Sequence, residues 1–207
     1  MLKNNPLVLV FCKNQILGKV KSRLALKIGQ KKALLIYSEL VNKTASIVNS
    51  LSVEVHLYYS DYIEENDNFN PSKVKKFIQK GNNLGDRIIN ALNISFKKFS
   101  PVVIIGSDLW KLEISDIEDA FRILKNKNIV IGPSSDGGYY LIGMNYLDTK
   151  IFENKNWGQE SVLNDTIRDI DDETNIHLLD EKTDIDTYED LCQFPDLKTK
   201  LWNQKRR

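Results

Sequence analysis

Apolar residues in this chain fall into two patterns. Leu7-Val8-Leu9-Val10-Phe11-Cys12 and Val102-Val103-Ile104-Ile105 are unbroken runs rich in β-branched residues, with no polar alternation. Such runs belong to strands buried on both faces of a sheet. Val53 to Tyr58 alternates and predicts a second strand, and Val74 to Ile78 a third. Ile129 to Ile131, ended by Gly132-Pro133, then Tyr139 to Met144 and His177 to Leu179 add further short strands. The other pattern is helical. From about Gln30 to Asn49, Leu34, Tyr37, Val41, Ala45 and Val48 recur on one face. Leu84, Ile88, Ala91, Leu92, Ser95 and Phe99 line a second helix, and Ile117, Ala120, Phe121 and Leu124 a third. Ser115-Asp116-Ile117-Glu118 has the spacing of a capping box for that third helix. Val162, Leu163, Thr166 and Ile167 mark a fourth, and Thr187 is an N-cap for a terminal helix with an acidic third position.

Strands alternating with helices predict an α/β fold, a mostly parallel central sheet with helices on both faces. No internal repeat and no linker divides the chain, so residues 1–207 read as a single domain. The segments between elements are polar. Lys13 to Leu24 reads as a loop, Asp61 to Ser72 as a surface loop closed by Pro71, and Gln79 to Gly85 has turn composition.

Composition narrows the class. A hydrophobic share of 42% and a charged share of 28% are those of a globular protein. The net charge of +1 argues against a nucleic-acid partner held by bulk charge, and the basic end Lys205-Arg206-Arg207 reads as a frayed terminus. Cys12 and Cys192 form no CxxC pair, which argues against a disulfide scaffold or zinc site and fits a reducing cytoplasm. Leu7 to Cys12 is too short for a signal peptide or membrane span. The expectation is a cytoplasmic protein with no membrane span, and its oligomeric state is left open.

Candidate chemistry gathers at predicted strand ends. Lys13, Lys19, Lys21 and Arg23 crowd the turn after the first strand, where mononucleotide-binding folds hold phosphate. Gly18 would let backbone approach an anion, and Arg23 offers a planar fork for phosphate oxygens. The segment is neither a Walker A loop nor G-x-G-x-x-G, and a solvated basic loop is its alternative. Carboxylates form a second set: Asp108 follows the run Val102 to Gly106-Ser107, Asp136 precedes Gly137-Gly138, and Asp184 and Asp186 sit before Thr187. Asp108 and Asp186 suit a hard divalent cation, Mg²⁺ or Mn²⁺, which takes one or two carboxylates together with substrate phosphates. Each has a plainer alternative as a helix-start residue. Gly137-Gly138 suggests backbone close to a ligand, whereas Tyr139 and Tyr140 read as core packing more readily than as a stacking platform. Trp157-Gly158 is balanced between an acceptor platform and a hydrophobic plug, and His56 and His177, both within strands, read as structural.

Taken in order, these segments resemble a known family. Gly18-Lys19-Val20-Lys21-Ser22-Arg23-Leu24 is similar to a "PGxxKTRL" loop, Gly81 to Arg87 to "GDLGERM", and Ile105-Gly106-Ser107-Asp108 to "IGSDCP". Gly132 to Gly143 is close to "GPAEDGGYYLIG", and Asp184 to Leu191 completes the order. The pattern is that of the bacterial DUF2064 group within the GT-A, or nucleotide-diphospho-sugar transferase, superfamily. The resemblance implies a Rossmann-like GT-A fold and a transferase acting on a nucleotide-sugar or NTP and a small-molecule acceptor. It places the metal on Asp108 and Asp186 and the nucleotide on Gly18, Lys19, Lys21, Arg23, Gly85, Ser107, Gly137 and Gly138. Lys21, Arg23 and Asp136 become the candidate catalytic groups, with Asp136 as base. A metal-assisted glycosyltransferase is the first expectation. Nucleotidyl transfer from an NTP to a sugar phosphate or phosphoacid is the second, since phospholactate guanylyltransferases share the basic loop and a "DIDTPEDL" ending. A non-catalytic nucleotide-binding module is the third. Leu17 replaces the family's proline, and Leu109-Trp110 replaces its Cys-Pro, which leads one to expect an indole beside the metal site and altered acceptor choice.

Overall fold

The computed structural model describes residues 5–171 and 175–203, with side chains described as far as residue 200. The basic end Lys205-Arg206-Arg207 lies outside the described residues. Strands β1 (Leu7–Cys12), β2 (Glu54–Tyr59), β3 (Val74–Ile78), β4 (Val102–Ile105), β5 (Ile129–Pro133), β6 (Tyr139–Met144) and β7 (Ile176–Leu178) form one sheet in the order β3-β2-β1-β4-β6-β5-β7. β6 is antiparallel to both β4 and β5, while the other pairings are parallel. The helices are α1 (Ser22–Ile28), α2 (Gln30–Ser50), α3 (Leu84–Ser95), α4 (Ile114–Ile123), α5 (Val162–Arg168), α6 (Tyr188–Cys192) and α7 (Pro195–Asn203).

The two-residue period of β1 explains the layering. Val8, Val10 and Cys12 face a cluster that also holds Tyr37, Val41 and Val48 of α2 and Ile117 and Ala120 of α4. Leu7 and Leu9 face the opposite cluster with Ile88 and Leu92 of α3, Ile142 and Phe152. Each face of a sheet flanked by helices is thus apolar, which is why β1 and β4 show no polar alternation. A third cluster, Leu24, Ile36, Leu40, Ile185, Leu191 and Leu197, joins α1, α2, α6 and α7.

Reversal of β6 brings the chemistry together. Val10 pairs with Ile105 and Ile105 with Leu141, so the exits of β1 and β4 and the entrance of β6 share one edge. That edge receives Lys13, Gly106 to Asp108 and the Asp136-Gly137-Gly138 turn.

Several boundaries differ from expectation: α3 ends at Ser95, so Phe99 lies beyond it, β2 and β7 are each shifted by one residue, and three other departures have evident causes. Ser22 to Leu24 is not loop but the first turn of α1, because Leu24 is fully buried against the third cluster. A seven-residue helix shows too little periodicity to be read from sequence. The α4 capping box is made by Glu113 and Asp116 rather than Ser115 and Glu118, with the Glu113 N–H donating to Asp116 Oδ2 at 2.8 Å. Buried Leu112 anchors the chain just before it, so the helix starts earlier than the hydroxyl suggested. The terminal helix is broken in two, since Pro195 has no N–H to carry α6 onward. Thr187 does cap α6: its Oγ1 accepts from Asp190 N–H at 3.2 Å while the Asp190 carboxylate accepts from Thr187 N–H at 2.7 Å.

Candidate active site

The exits of β1 and β4 are pinned to each other by one buried hydroxyl. Tyr37 of α2, 1% exposed, accepts from Lys13 N–H at 2.9 Å and lies 3.1 Å from Lys13 C=O and 3.0 Å from Ser107 Oγ. The Cys12 thiol joins at 3.6 Å. Burial raises the Tyr37 hydroxyl well above its usual range and pushes the Cys12 thiol up to about 11, so the cluster is neutral and proton-bearing. Its effect is positional: the residue before Asp108 and the first residue after β1 are held by the same oxygen.

Beside it stands the ionic centre. Lys21, at the N-cap of α1, has a left-handed backbone (φ 49°) and a side chain only 3% exposed. Its Nζ lies 2.8 Å from Asp108 Oδ1 and 2.8 Å from Asp186 Oδ1. Burial works to lower the Lys21 pKa, but the two carboxylates outweigh it and the net shift is upward. Burial likewise works to raise Asp186, and Lys21 with Arg23 pulls it net below the carboxylate range. Arg23, half exposed, reaches Asp186 Oδ2 at 3.3 Å. Asp184 accepts from Ser134 Oγ at 2.7 Å, and its carboxyl is raised, first by burial and then by neighbouring Asp136 and Asp186.

These groups open onto a cavity of about 300 Å³ at the sheet edge. Lys13, Arg23, Asp108, Asp136, Asp184 and Asp186 supply its polar lining. Phe11, Leu84, Ile88, Tyr139, Trp157 and Val162 supply an apolar wall. An adjoining cleft of about 150 Å³ is bounded by Lys13, Lys21, Ser22, Arg23, Tyr37 and the same two aspartates. A cationic and acidic end next to an apolar wall suits a ligand that carries phosphate at one end and a ring or apolar body at the other.

The donor set fits a divalent cation. Two carboxylate oxygens converge on one point, and a small hard cation fills its remaining positions with water and substrate phosphate. Among the described residues no third His, Cys, Asp or Glu completes an all-protein metal cage.

The expected residues separate into those that meet and those that do not. Lys21, Arg23, Asp108 and Asp186 converge, and Asp136 and Gly138 line the same cavity. Asp136 Oδ1 accepts from Gly138 N–H at 2.9 Å, which orients the carboxylate. Gly18 sits in a turn at φ 79° with Lys19 exposed beside it, and neither lines the cavity. Gly85 and Gly137 are packing positions. A Cβ on Gly85 would press into the Phe152 carbonyl and the Trp157 indole, and one on Gly137 into the Glu160 backbone. Ser107 is buried under Tyr37 rather than turned to the cavity. Trp110 corrects an expectation: its indole N–H donates to Asp196 Oδ2 at 2.8 Å, and Lys200 lies over the ring at 5.1 Å. It therefore holds α7 and does not line the cavity. Trp157 is both wall and plug, meeting Tyr139 edge-on at 6.3 Å. His56 is buried against Phe77 and Phe99, with its pKa lowered by burial.

Residues that sequence reasoning passed over include Tyr37, Phe11 and Gln159. Tyr37 was legible only as a helix-face aromatic. Phe11 and Gln159 carry no local signal, because their place on the cavity wall follows from how β1 and the segment before α5 pack.

Comparison with known proteins identifies the fold and the family. No curated protein sequence matches the chain. Its fold is similar to that of a candidate nucleotide-diphospho-sugar transferase from Desulfovibrio desulfuricans, with a TM-score of 0.80 and 24% identity over 96% of this chain and 98% of that one. CMP:2-keto-3-deoxy-manno-octonic acid synthetase in complex with CTP shares it at a TM-score of 0.59 and 9% identity, over 95% and 99% of the two chains. Rv0371c of Mycobacterium tuberculosis in complex with manganese shares it at 0.55 and 9%, over 93% and 99%. These likenesses establish the α/β fold of the nucleotide-diphospho-sugar transferases and nucleotidyltransferases. The family model described as "Uncharacterized protein conserved in bacteria (DUF2064)" matches residues 43–159, from α2 through the Trp157 segment. The chain belongs to the DUF2064 family.

Proposed function

We propose that the protein is a nucleotide-dependent transferase that moves a glycosyl group from a nucleotide-diphospho-sugar to a small-molecule acceptor. The observation that carries the reading is the convergence of Lys21 and Arg23 with Asp108 and Asp186 at the mouth of a cavity with an apolar wall. Family membership and the fold shared with the Desulfovibrio protein support it.

In this reading Asp108 and Asp186 hold a divalent cation, Mg²⁺ or Mn²⁺, which supplies charge neutralisation at the diphosphate. The manganese in the related Rv0371c structure supports that choice. Lys21 and Arg23 bind and orient the phosphates, Arg23 through its bidentate fork. Asp136, oriented by Gly138 N–H, stands in the cavity as the group able to take the acceptor's hydroxyl proton. The Phe11, Leu84 and Trp157 wall excludes water from the ring that packs on it. Positioning and charge stabilisation do most of the work.

A second reading has its own support. Lys13, Lys21 and Arg23 put three cations around one small cleft, a density suited to a triphosphate, and the CTP-bound synthetase shares the fold. The protein would then transfer a nucleotidyl group and release pyrophosphate.

Incubation with Mg²⁺ and a panel of nucleotide sugars and NTPs, with chromatography of the products, separates the two. Release of nucleoside diphosphate from a nucleotide sugar is expected. Pyrophosphate release from an NTP, with nucleotide sugars untouched, would replace glycosyl by nucleotidyl transfer. An Asp108→Asn variant with unchanged Mg²⁺-dependent turnover would remove the metal assignment.

A further inference from the structure

Lys21 differs from the other basic residues of its loop in being buried, and its ammonium is shared equally between two carboxylates. Lys19 and Arg23 are exposed. A divalent cation bound to both Oδ1 atoms, at roughly 2.1 Å from each, would compete with Nζ for the same pair of oxygens. The ammonium and the cation are therefore alternatives. With neither present, Asp108 and Asp186 would face each other with only Arg23, on the far oxygen of Asp186, to offset them, which is costly. The side chain also has somewhere to go. The cleft that Lys21 and the two aspartates share with Lys13, Ser22 and Arg23 is where an incoming phosphate would gather cations, and lysine, a compact charge on a flexible stem, can turn from the carboxylates to a phosphate within it.

We propose that Lys21 couples cation binding to phosphate binding. Its ammonium occupies the place between Asp108 and Asp186 in the free protein, and it leaves for the phosphate as the divalent cation enters. The proposal rests on the reading of Asp108 and Asp186 as the cation-holding pair. It adds that the metal binds poorly alone and that metal and phosphate strengthen each other by the same factor, as linkage requires. Substrate phosphate would thus open the metal site rather than arrive at one already formed.

Mn²⁺ binding to the full chain tests this, followed by electron paramagnetic resonance of free Mn²⁺, with and without inorganic pyrophosphate and with protein-free blanks for chelation. Wild type is expected to bind Mn²⁺ about tenfold more tightly when pyrophosphate is present. Lys21→Met should bind Mn²⁺ alone about tenfold more tightly than wild type does, with pyrophosphate strengthening it by a smaller factor than in wild type, since direct coordination of the phosphate remains. Lys21→Gln, checked by circular dichroism, repeats the measurement in case the methionine variant misfolds. Equal Mn²⁺ affinity in wild type and both variants, or no effect of pyrophosphate on wild type, would overturn the coupling while leaving the metal site in place. Asp108→Asn separates the two claims, since undiminished Mn²⁺ binding in that variant would remove the metal site and the coupling together.

Discussion

The Lys21 ammonium lies 2.8 Å from the Asp186 carboxylate across 165 positions of sequence. The loop after β1 and the loop before α6 are thereby closed onto each other, with Asp108 from the loop after β4 as the third member. An ion pair of this kind is poor evidence for stability on its own, because burying the charges costs solvation. Breaking it is another matter.

Lys21→Met leaves two carboxylates adjacent without the ammonium between them, Arg23 remaining on the outer oxygen of Asp186. A loss of about 1–3 kcal/mol at neutral pH is expected, less than for a fully enclosed pair because both aspartates reach solvent. Urea denaturation would measure it. If the metal site is as proposed, added Mn²⁺ should raise the melting temperature of the variant more than that of wild type.

The same triad sets a pH window. Asp186 is held below its unfolded value, so its contribution is present above about pH 4 and is lost as pH falls through its folded value. Lys21 is raised, so its contribution is present below about pH 10 and is lost as pH rises beyond that. Between those limits both are in place. Melting curves from pH 3 to 11 should show a plateau with two falling limbs, and the acid limb should be shallower in Lys21→Met.

Tyr37→Phe keeps the ring in the core and removes the oxygen that Lys13 N–H and Ser107 share. The partly buried N–H then loses its partner, at a cost of about 1 kcal/mol. Because the loss falls where two site loops are joined, nucleotide binding measured by calorimetry should weaken together with stability.

Gly137→Ala combines a left-handed backbone at φ 84° with a methyl group driven into the Glu160 main chain. Backbone against backbone has no flexible partner to yield, and a destabilisation above about 2 kcal/mol is expected from thermal denaturation. Trp110→Ala provides the contrast. It should lower the melting temperature by releasing Asp196 and Lys200 of α7, yet leave Mn²⁺ and nucleotide affinity unchanged.

The cysteines should differ in reactivity. At pH 8 the exposed Cys192 should titrate rapidly with a thiol reagent, while buried Cys12, raised to about 11, should react only on unfolding.

Local pattern was enough for most of the fold. Uninterrupted β-branched runs such as Val102 to Ile105 announce a strand covered on both faces, and the face of Tyr37, Val41 and Val48 announces the helix that covers one of them. Strand ends then named the edge where Lys13, Asp108 and Asp136 would emerge. α1 stayed hidden because it is short and its buried residue, Leu24, is covered by α2 together with Ile185 and Leu191 from the far end of the chain.

The site divides in the same way. Residue type and place at predicted strand ends, joined to the family resemblance, marked Lys21, Arg23, Asp108 and Asp186 as candidates for phosphate and cation chemistry. The sequence carries no information on where those side chains point, and only the tertiary structure places the Lys21 ammonium between the aspartates while Arg23, half exposed, reaches the outer oxygen of Asp186. The same holds for Trp110, which adjoins Asp108 in the chain but turns toward α7. It holds equally for Gly85 and Gly137, whose missing side chains make room for the protein's own backbone. Strand period and helix face are properties of neighbours in the chain, and sequence alone determines them. The partner of each charged group is a property of neighbours in space, decided by the reversal of β6 and the return of the final loop to the first.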